Sequence, residues 1–215
     1  MHSGMIARGG MPFVLFPAIL IGLLLATAIA ISSNVPVLLT IPVGVLFVAF
    51  LVFFRDPSRR IGQGIVSPAD GLIVAVDIAT GSLAIYMGIL DVHVNRAPWS
   101  GLVVHRRRRQ GGHSVASSSS ASGNECIEWQ LGTLFGQITM KQIAGMFARR
   151  IVPYIEEGAR IKKGQRIGLI RFGSRVEVTL PPTARIVVKA GERVRAGETT
   201  IAEVEHGAGK EDRVR

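Results

Sequence analysis

Cysteine is all but missing from this 215-residue chain: Cys126 stands alone, so no internal disulfide can form and a reducing compartment is implied. No neighbour in the sequence supplies it with a base, so it reads as a small core residue and not a nucleophile. Histidine, cysteine and carboxylates nowhere gather at ligand spacing, which argues against a metal site. Aromatic residues make up 6% of the chain, and none interrupts "HRRRRQGGH" (residues 105–113), the densest basic run. Binding of single-stranded nucleic acid by stacking is therefore unsupported, and no nucleic-acid partner is expected. Acidic residues are outnumbered, 15 against 25 Lys and Arg, and the net charge of +10 asks for an acidic partner or surface.

Charge of either sign is absent from residue 9 to residue 54, a run of 46 positions rich in Leu, Ile, Val, Ala and Phe. One bilayer span takes about 20 apolar residues, so the run accommodates two. "SSNVP" (residues 32–36) breaks it near the middle with small polar residues and a proline. The expectation is an N-terminal transmembrane hairpin, residues 1–54, with helices at about 12–32 and 36–54. "ATA" (residues 26–28) resembles the cleavage site of a secretory signal, but the second apolar run directly after it argues against removal. A hairpin buried in a soluble core is the other alternative, and the rest of the chain is too short to cover so much apolar surface. Arg8 flanks one side and Arg55, Arg59 and Arg60 the other, which by the positive-inside rule puts both ends and the domain of residues 55–215 on the cytoplasmic face of the cell membrane. For an anchored protein, the arginines of residues 105–113 are accounted for by attraction to anionic headgroups or, equally, by a solvated hairpin tip.

Beyond Arg55 the pattern is one of short strands and turns: "GLIVAVDIA", "GSLAIYMGIL", "HVNRAPWSGLVVH", "IEWQLGTLFGQITMKQI" and "RIGLIRFGSRVEVTL". "KQIAGMFARRIVPYI" (residues 141–155) places Ile143, Met146, Phe147 and Ile151 on one helical face, and a helix ending at Pro153 is expected there. "SVASSSSASGNE" (residues 114–125) reads as a low-complexity loop. "GARIKKGQ" (residues 158–165) returns as "GERVRAGE" (residues 191–198), an offset of 33 that suggests two related hairpin units. These turns are similar to those of lipoyl and biotinyl carrier domains, although no carrier lysine motif is present. The fold class that follows is mainly β (α+β): a flattened β-sandwich of the barrel-sandwich hybrid kind with a lipoyl-like hairpin repeat, preceded by the helical hairpin.

Four stretches carry candidate chemistry. "FFRDPSR" (residues 53–59), "VSPADG" (66–71) and "DVHVNRAP" (91–98) each have a plain structural explanation: a juxtamembrane ion pair, a turn, and a satisfied histidine beside an apolar strand. "IRFGSRVEVTLP" (residues 170–181) alternates as a half-buried strand except at Gly173-Ser174, where a bulge or a close backbone approach is expected.

Together, in this order and spacing, and with "QIAGMFARRIV", they resemble the phosphatidylserine decarboxylase proenzymes of the short, membrane-associated type, over essentially the whole chain. The resemblance implies self-cleavage between Gly173 and Ser174. The products would be a β chain (residues 1–173) and an α chain (174–215) that stay together as a heterodimer, with a pyruvoyl group made from Ser174 as the only cofactor. That ketone would form a Schiff base with a serine phospholipid and take up the electrons left by carbon dioxide, giving phosphatidylethanolamine from phosphatidylserine. His93 and Asp70 are then the acid-base candidates, with imidazole titrating near neutral pH and a carboxylate orienting it.

The family's longer members carry a second histidine where this chain has Arg96. Arg96, with Asn95 beside it, is instead a candidate for holding the substrate's phosphate or carboxylate. "NEC" (residues 124–126) keeps only part of the family's Asn-Glu-Arg, and His113 is assigned to the surface. An archaetidylserine decarboxylase would use the same machinery. A non-catalytic, membrane-anchored basic sandwich that binds anionic lipid is the alternative from another class. Association into a higher oligomer stays open.

Overall fold

The computed structural model describes residues 5–111, 125–145, 150–171 and 174–204. Gly173, His113 and most of the serine-rich segment lie outside those residues. The chain divides into two compact units, Met1–Pro57 and Ser58–Arg215.

The first unit is a helical hairpin, α1 (Met11–Ala30) and α2 (Val35–Phe53), both long and apolar enough to cross a membrane. Each begins with a proline in its first turn, where the missing N–H costs nothing. The helices meet through Phe13, whose ring lies 5.7 Å from Phe50 and 5.1 Å from Phe54. Leu15, Phe16, Ile19, Leu23, Leu38 and Ile41 are exposed, and a helix that is apolar all round suits lipid. The two ends of the hairpin are tied side by side: Ala7 N–H donates to Phe54 O at 2.8 Å, and Ile6 bridges Arg55.

The second unit is a β-sandwich. Its strands are β1 (Ile65–Val66), β2 (Gly71–Asp77), β3 (Ser82–Met87), β4 (Val94–Arg96), β5 (Gly101–Arg109), β6 (Cys126–Thr133) and β7 (Gly136–Ala144), followed by β8 (Ile151–Pro153), β9 (Arg160–Ile161), β10 (Arg166–Ile170), β11 (Ser174–Thr179), β12 (Ala184–Ile186), β13 (Arg193–Val194) and β14 (Thr200–Val204). They form an eight-stranded sheet in the order β13-β2-β3-β11-β7-β6-β5-β9 and two three-stranded sheets, β1-β14-β12 and β4-β10-β8. One core joins all three sheets, with Ile85, Met140, Trp129 and Val176 from the large sheet meeting Ile65 and Ile201 from one small sheet and Ile167 and Ile170 from the other.

The sequence repeat is the visible part of a larger duplication. In the large sheet, β2 pairs with β3 and shifts register between Ile73 and Ala75; β5 pairs with β6 and shifts between Val103 and His105, the same place 30 residues on. Arg193 opposes Leu72 as Arg160 opposes Leu102. Gly164 and Gly197, the second glycines of the repeat, take φ +75° and +78°, a left-handed turn open to glycine at no steric cost. The two halves therefore relate by an approximate two-fold axis between the central strands β11 and β7. Under this relation the pair Met87 and Ser174 corresponds to Thr133 and Gly136. In one half that position is a tight hairpin turn. In the other the hairpin is open, and the whole of the second half is inserted between Met87 and Ser174.

Two expectations are corrected. Residues 141–144 belong to β7 and residues 151–153 to β8, so no helix occupies the described part of 141–155. The true period is two: Ile138, Met140, Gln142 and Ala144 face the core, and the polar Gln142 among them hid the alternation. Ile143, apolar yet on the opposite face, supplied the false helical spacing. Residues 170–179 are likewise not one strand, because β10 ends at Ile170 in a small sheet and β11 starts at Ser174 in the large one.

Candidate active site

Ser174 opens β11 between Met87 of β3 and Ala144 of β7 and is fully buried. Its Oγ–H donates to Met87 Sδ at 3.2 Å. Asn95 donates from Nδ2 to the same sulfur at 3.6 Å. Thus β4, from a small sheet, and β11, from the large one, meet at one thioether.

His93 immediately precedes β4, two residues before Asn95, and is completely buried. Its carbonyl accepts the N–H of Ile170 at 3.2 Å, which fixes it beside the end of β10, four residues before Ser174. Its Nδ1 lies 2.8 Å from the carbonyl oxygen of Asp91. A carbonyl only accepts, so Nδ1 carries the proton of the neutral ring and Nε2 carries the basic lone pair. Asp91 is itself held: its Oδ2 accepts Gly88 N–H at 2.8 Å, and its Oδ1 accepts from Arg193. Sequence reasoning passed over Asp91, though its place two residues before His93 was a usable signal.

Asp70 is placed differently from the expectation. Its Oδ2 pairs with Arg59 Nη2 at 2.7 Å, and its Oδ1 accepts the N–H of Ala196 at 2.7 Å. Arg59 Nη1 reaches Glu198 at 3.3 Å. Among the described residues Asp70 makes no hydrogen bond to His93. The two-fold relation explains half of this arrangement: the counterpart of Asp70 is Ser100, whose Oγ accepts the N–H of Lys163 at 2.9 Å as Asp70 accepts that of Ala196. Holding the repeat turn is therefore a task common to both halves, and the buried ion pair with Arg59 is what Asp70 adds.

Asn95 and Arg96 point to opposite faces of β4. Asn95 faces Ser174. Arg96, also buried, donates from Nη1 to Gly164 O at 3.1 Å, and its Cδ is 3.1 Å from where a Cβ on Gly197 would be. It packs against the two repeat turns. Arg171, three residues before Ser174 in the chain, donates its N–H to Arg150 O at 3.3 Å. Burial, and then the neighbouring Arg150 guanidinium, lower the pKa of Arg171 from its ordinary value, while Tyr154 acts the other way.

The proteins this chain resembles are decarboxylase proenzymes. Residues 46–202 match the family model described as phosphatidylserine decarboxylase. A phosphatidylserine decarboxylase proenzyme of Thermobifida fusca is 43% identical over 199 residues, covering 91% of both chains. A protein of Methanosarcina mazei named as an archaetidylserine decarboxylase proenzyme is 40% identical over 207 residues, covering 94% of this chain and 98% of its own. Another so named, from Archaeoglobus fulgidus, is 46% identical over 172 residues, covering 78% and 86%. The chain belongs to the phosphatidylserine decarboxylase family.

Proposed function

We propose that this protein cuts itself between Gly173 and Ser174 and then, through a pyruvoyl group made from Ser174, removes carbon dioxide from the serine headgroup of a membrane phospholipid. The observation that carries the reading is the burial of Ser174 at an open sheet seam, next to the strand that brings in His93 and Asn95.

Self-cleavage begins as Ser174 Oγ attacks the Gly173 carbonyl carbon while its proton passes to Nε2 of His93. The C–N bond then breaks, the nitrogen takes a proton, and an ester remains. Loss of the Cα proton of residue 174 and rupture of its Cβ–O bond release the Gly173 carboxylate and leave a dehydroalanine. Water converts this to a ketone and ammonia. The buried site fits a pyruvoyl group, which is close in size to the serine it replaces. That group supplies the carbonyl that captures the substrate amine and draws off the electron pair left by carbon dioxide.

His93, its Nδ1–H fixed on Asp91, serves as the base in processing and returns a proton to the substrate carbon in turnover. Arg171 and Arg150 offer positive charge to the phosphate and carboxylate of the headgroup. Asp70, through Arg59 and Ala196, holds the α-chain turn against the β chain. The anchored hairpin has adjacent ends flanked by arginines, which supports placing the catalytic unit on the cytoplasmic face of the membrane.

The archaeal relatives favour a second substrate, archaetidylserine, which shares the serine headgroup but carries ether-linked isoprenoid tails. The deciding experiment is intact mass of the purified protein: an α fragment of residues 174–215 with a blocked, carbonyl-reactive N-terminus is expected, and Ser174→Ala is expected to leave one uncut, inactive chain. A wild-type chain that stays whole and releases no carbon dioxide from either lipid overturns the reading.

A further inference from the structure

A line of fully buried polar side chains runs through the sandwich and ends at Ser174. Trp129 Nε1–H donates to Gln142 Oε1 at 2.7 Å, and Gln142 Nε2–H donates to Asn95 Oδ1 at 2.8 Å. Asn95 Nδ2 then meets Met87 Sδ, the sulfur that also receives Ser174. Trp129, Gln142, Asn95, Met87 and Ser174 all have zero exposure. Gly168 clears space for the line, since a Cβ there would come within 3.1 Å of Gln142 Nε2 and 3.0 Å of Val152 O.

The chemistry of the first member orients all the others. An indole N–H donates and cannot accept, so the amide of Gln142 must present its oxygen to Trp129 and its nitrogen to Asn95. Asn95 must in turn present its oxygen to Gln142, and its NH2 is left for Met87 Sδ, beside the Ser174 hydroxyl that meets the same sulfur. The amide orientations follow from the network and need no separate choice. Among the described residues, the acceptor that the NH2 meets is a thioether, a weak one, and sealing a strong donor into a dry core for so poor a partner is costly to stability. A donor held this way, beside a serine that attacks a carbonyl, has the form of an oxyanion site.

We infer that Asn95 donates its side-chain N–H to the Gly173 carbonyl oxygen as that oxygen becomes anionic during self-cleavage, with Gln142 and Trp129 as the positioning residues that aim it. This rests on the self-processing reading of Ser174. As the Oγ–C bond forms, the carbonyl π pair moves onto oxygen, and the Oγ proton leaves to His93. When the C–N bond breaks the pair returns, and the leaving nitrogen takes a proton. The Gly173 carbonyl carbon is bonded to the Ser174 nitrogen at about 1.33 Å, so the developing charge arises within the first shell of atoms around the serine. Met87 holds the hydroxyl and the amide side by side until attack, without the basicity to deprotonate either.

The test follows the splitting of freshly translated full-length precursor, with and without hydroxylamine, which cuts the ester once it exists. Asn95→Ala should slow splitting by about 10² to 10³, the usual loss of one oxyanion donor. Asn95→Asp, equal in shape but without the N–H, should be no faster. Trp129→Phe, which keeps the ring but frees the Gln142 amide to turn, should slow it by about tenfold, the worth of roughly one hydrogen bond to an aligned charge. Hydroxylamine should not rescue any of them, because the step lost precedes the ester. Each variant is also placed on the uncut Ser174→Ala chain to confirm a thermal midpoint near that parent's; where Asn95→Ala fails this check, Trp129→Phe decides. Splitting of a folded variant at the wild-type rate, or rescue by hydroxylamine to that rate, overturns the inference while leaving the decarboxylase reading intact. A wild-type chain that never splits overturns both.

Discussion

Arg193 ion-pairs with Asp91 across the two sides of the Gly173–Ser174 link, and Asp91 in turn holds Nδ1 of His93 through its carbonyl oxygen. In the self-cleavage proposed above, a residue of the α chain would thereby steady the turn that aims the proposed base, His93. Asp91→Ala should slow both splitting and carbon dioxide release by about ten- to a hundredfold, the range expected for a misplaced catalytic group. Asp91→Asn, which can still accept Gly88 N–H, should recover part of this. Single-turnover rates of the two steps are the measurement, and equal rates in Asp91→Ala and wild type would remove Asp91 from this role.

The Arg59–Asp70 pair is buried, with side-chain exposures of 8% and 11%. Removing Asp70 leaves the buried Arg59 with only its longer contact to Glu198, so Asp70→Ala should cost about 3 kcal/mol, the lower end for breaking a buried pair. The counterpart Ser100→Ala loses one neutral hydrogen bond and should cost about 1 kcal/mol. Denaturant unfolding of both on the uncut Ser174→Ala chain makes the comparison, and equal losses would contradict the added role of the ion pair.

Arg171 sits three residues before Ser174, next to Arg150. Arg171→Gln should raise KM for a short-chain serine lipid by about tenfold, consistent with loss of a charged hydrogen bond worth about 1.5 kcal/mol or more, while kcat changes little and splitting goes to completion. Binding to phosphatidylglycerol vesicles separates headgroup recognition from general attraction to the membrane. The proposal needs that binding to stay unchanged.

Glu157 has its pKa lowered chiefly by accepting the N–H of Arg106, with His105 and the Arg106 charge adding to the effect. A carboxylate with a depressed folded value stabilises the fold above its unfolded value, and that contribution disappears as pH falls through the depressed one. The difference in thermal midpoint between wild type and Glu157→Gln should therefore be present at pH 7 and shrink only as pH falls below the ordinary carboxylate range, about pH 4. A gap independent of pH would show that packing, and not ionisation, is the cause.

Several features were legible because they depend on composition or on local spacing. The apolar run declared both helices within a residue or two of their ends, since apolar length and a proline-bearing break need no tertiary partner. The glycine repeat declared two like units because a left-handed turn demands glycine wherever it recurs. Other features were hidden by long-range pairing. Gln142 looked like an interruption of a strand and so lent its neighbours a helical appearance; its reason for being there is Asn95, 47 residues away. Asp70 looked like a partner for His93, and only the position of Arg59 and Ala196 gives its oxygens their true contacts.

The sequence by itself determined an apolar hairpin, a mainly β domain with an internal repeat, and a Gly-Ser link set among candidate acid-base residues, because each is written in short-range pattern. Tertiary structure alone decided that Ser174 falls at the opened seam of a two-fold sandwich, and that β4 crosses from another sheet to bring Asn95 to the same sulfur as Ser174. Such contacts arise from strand register summed over the whole sheet, and no local stretch of residues encodes them.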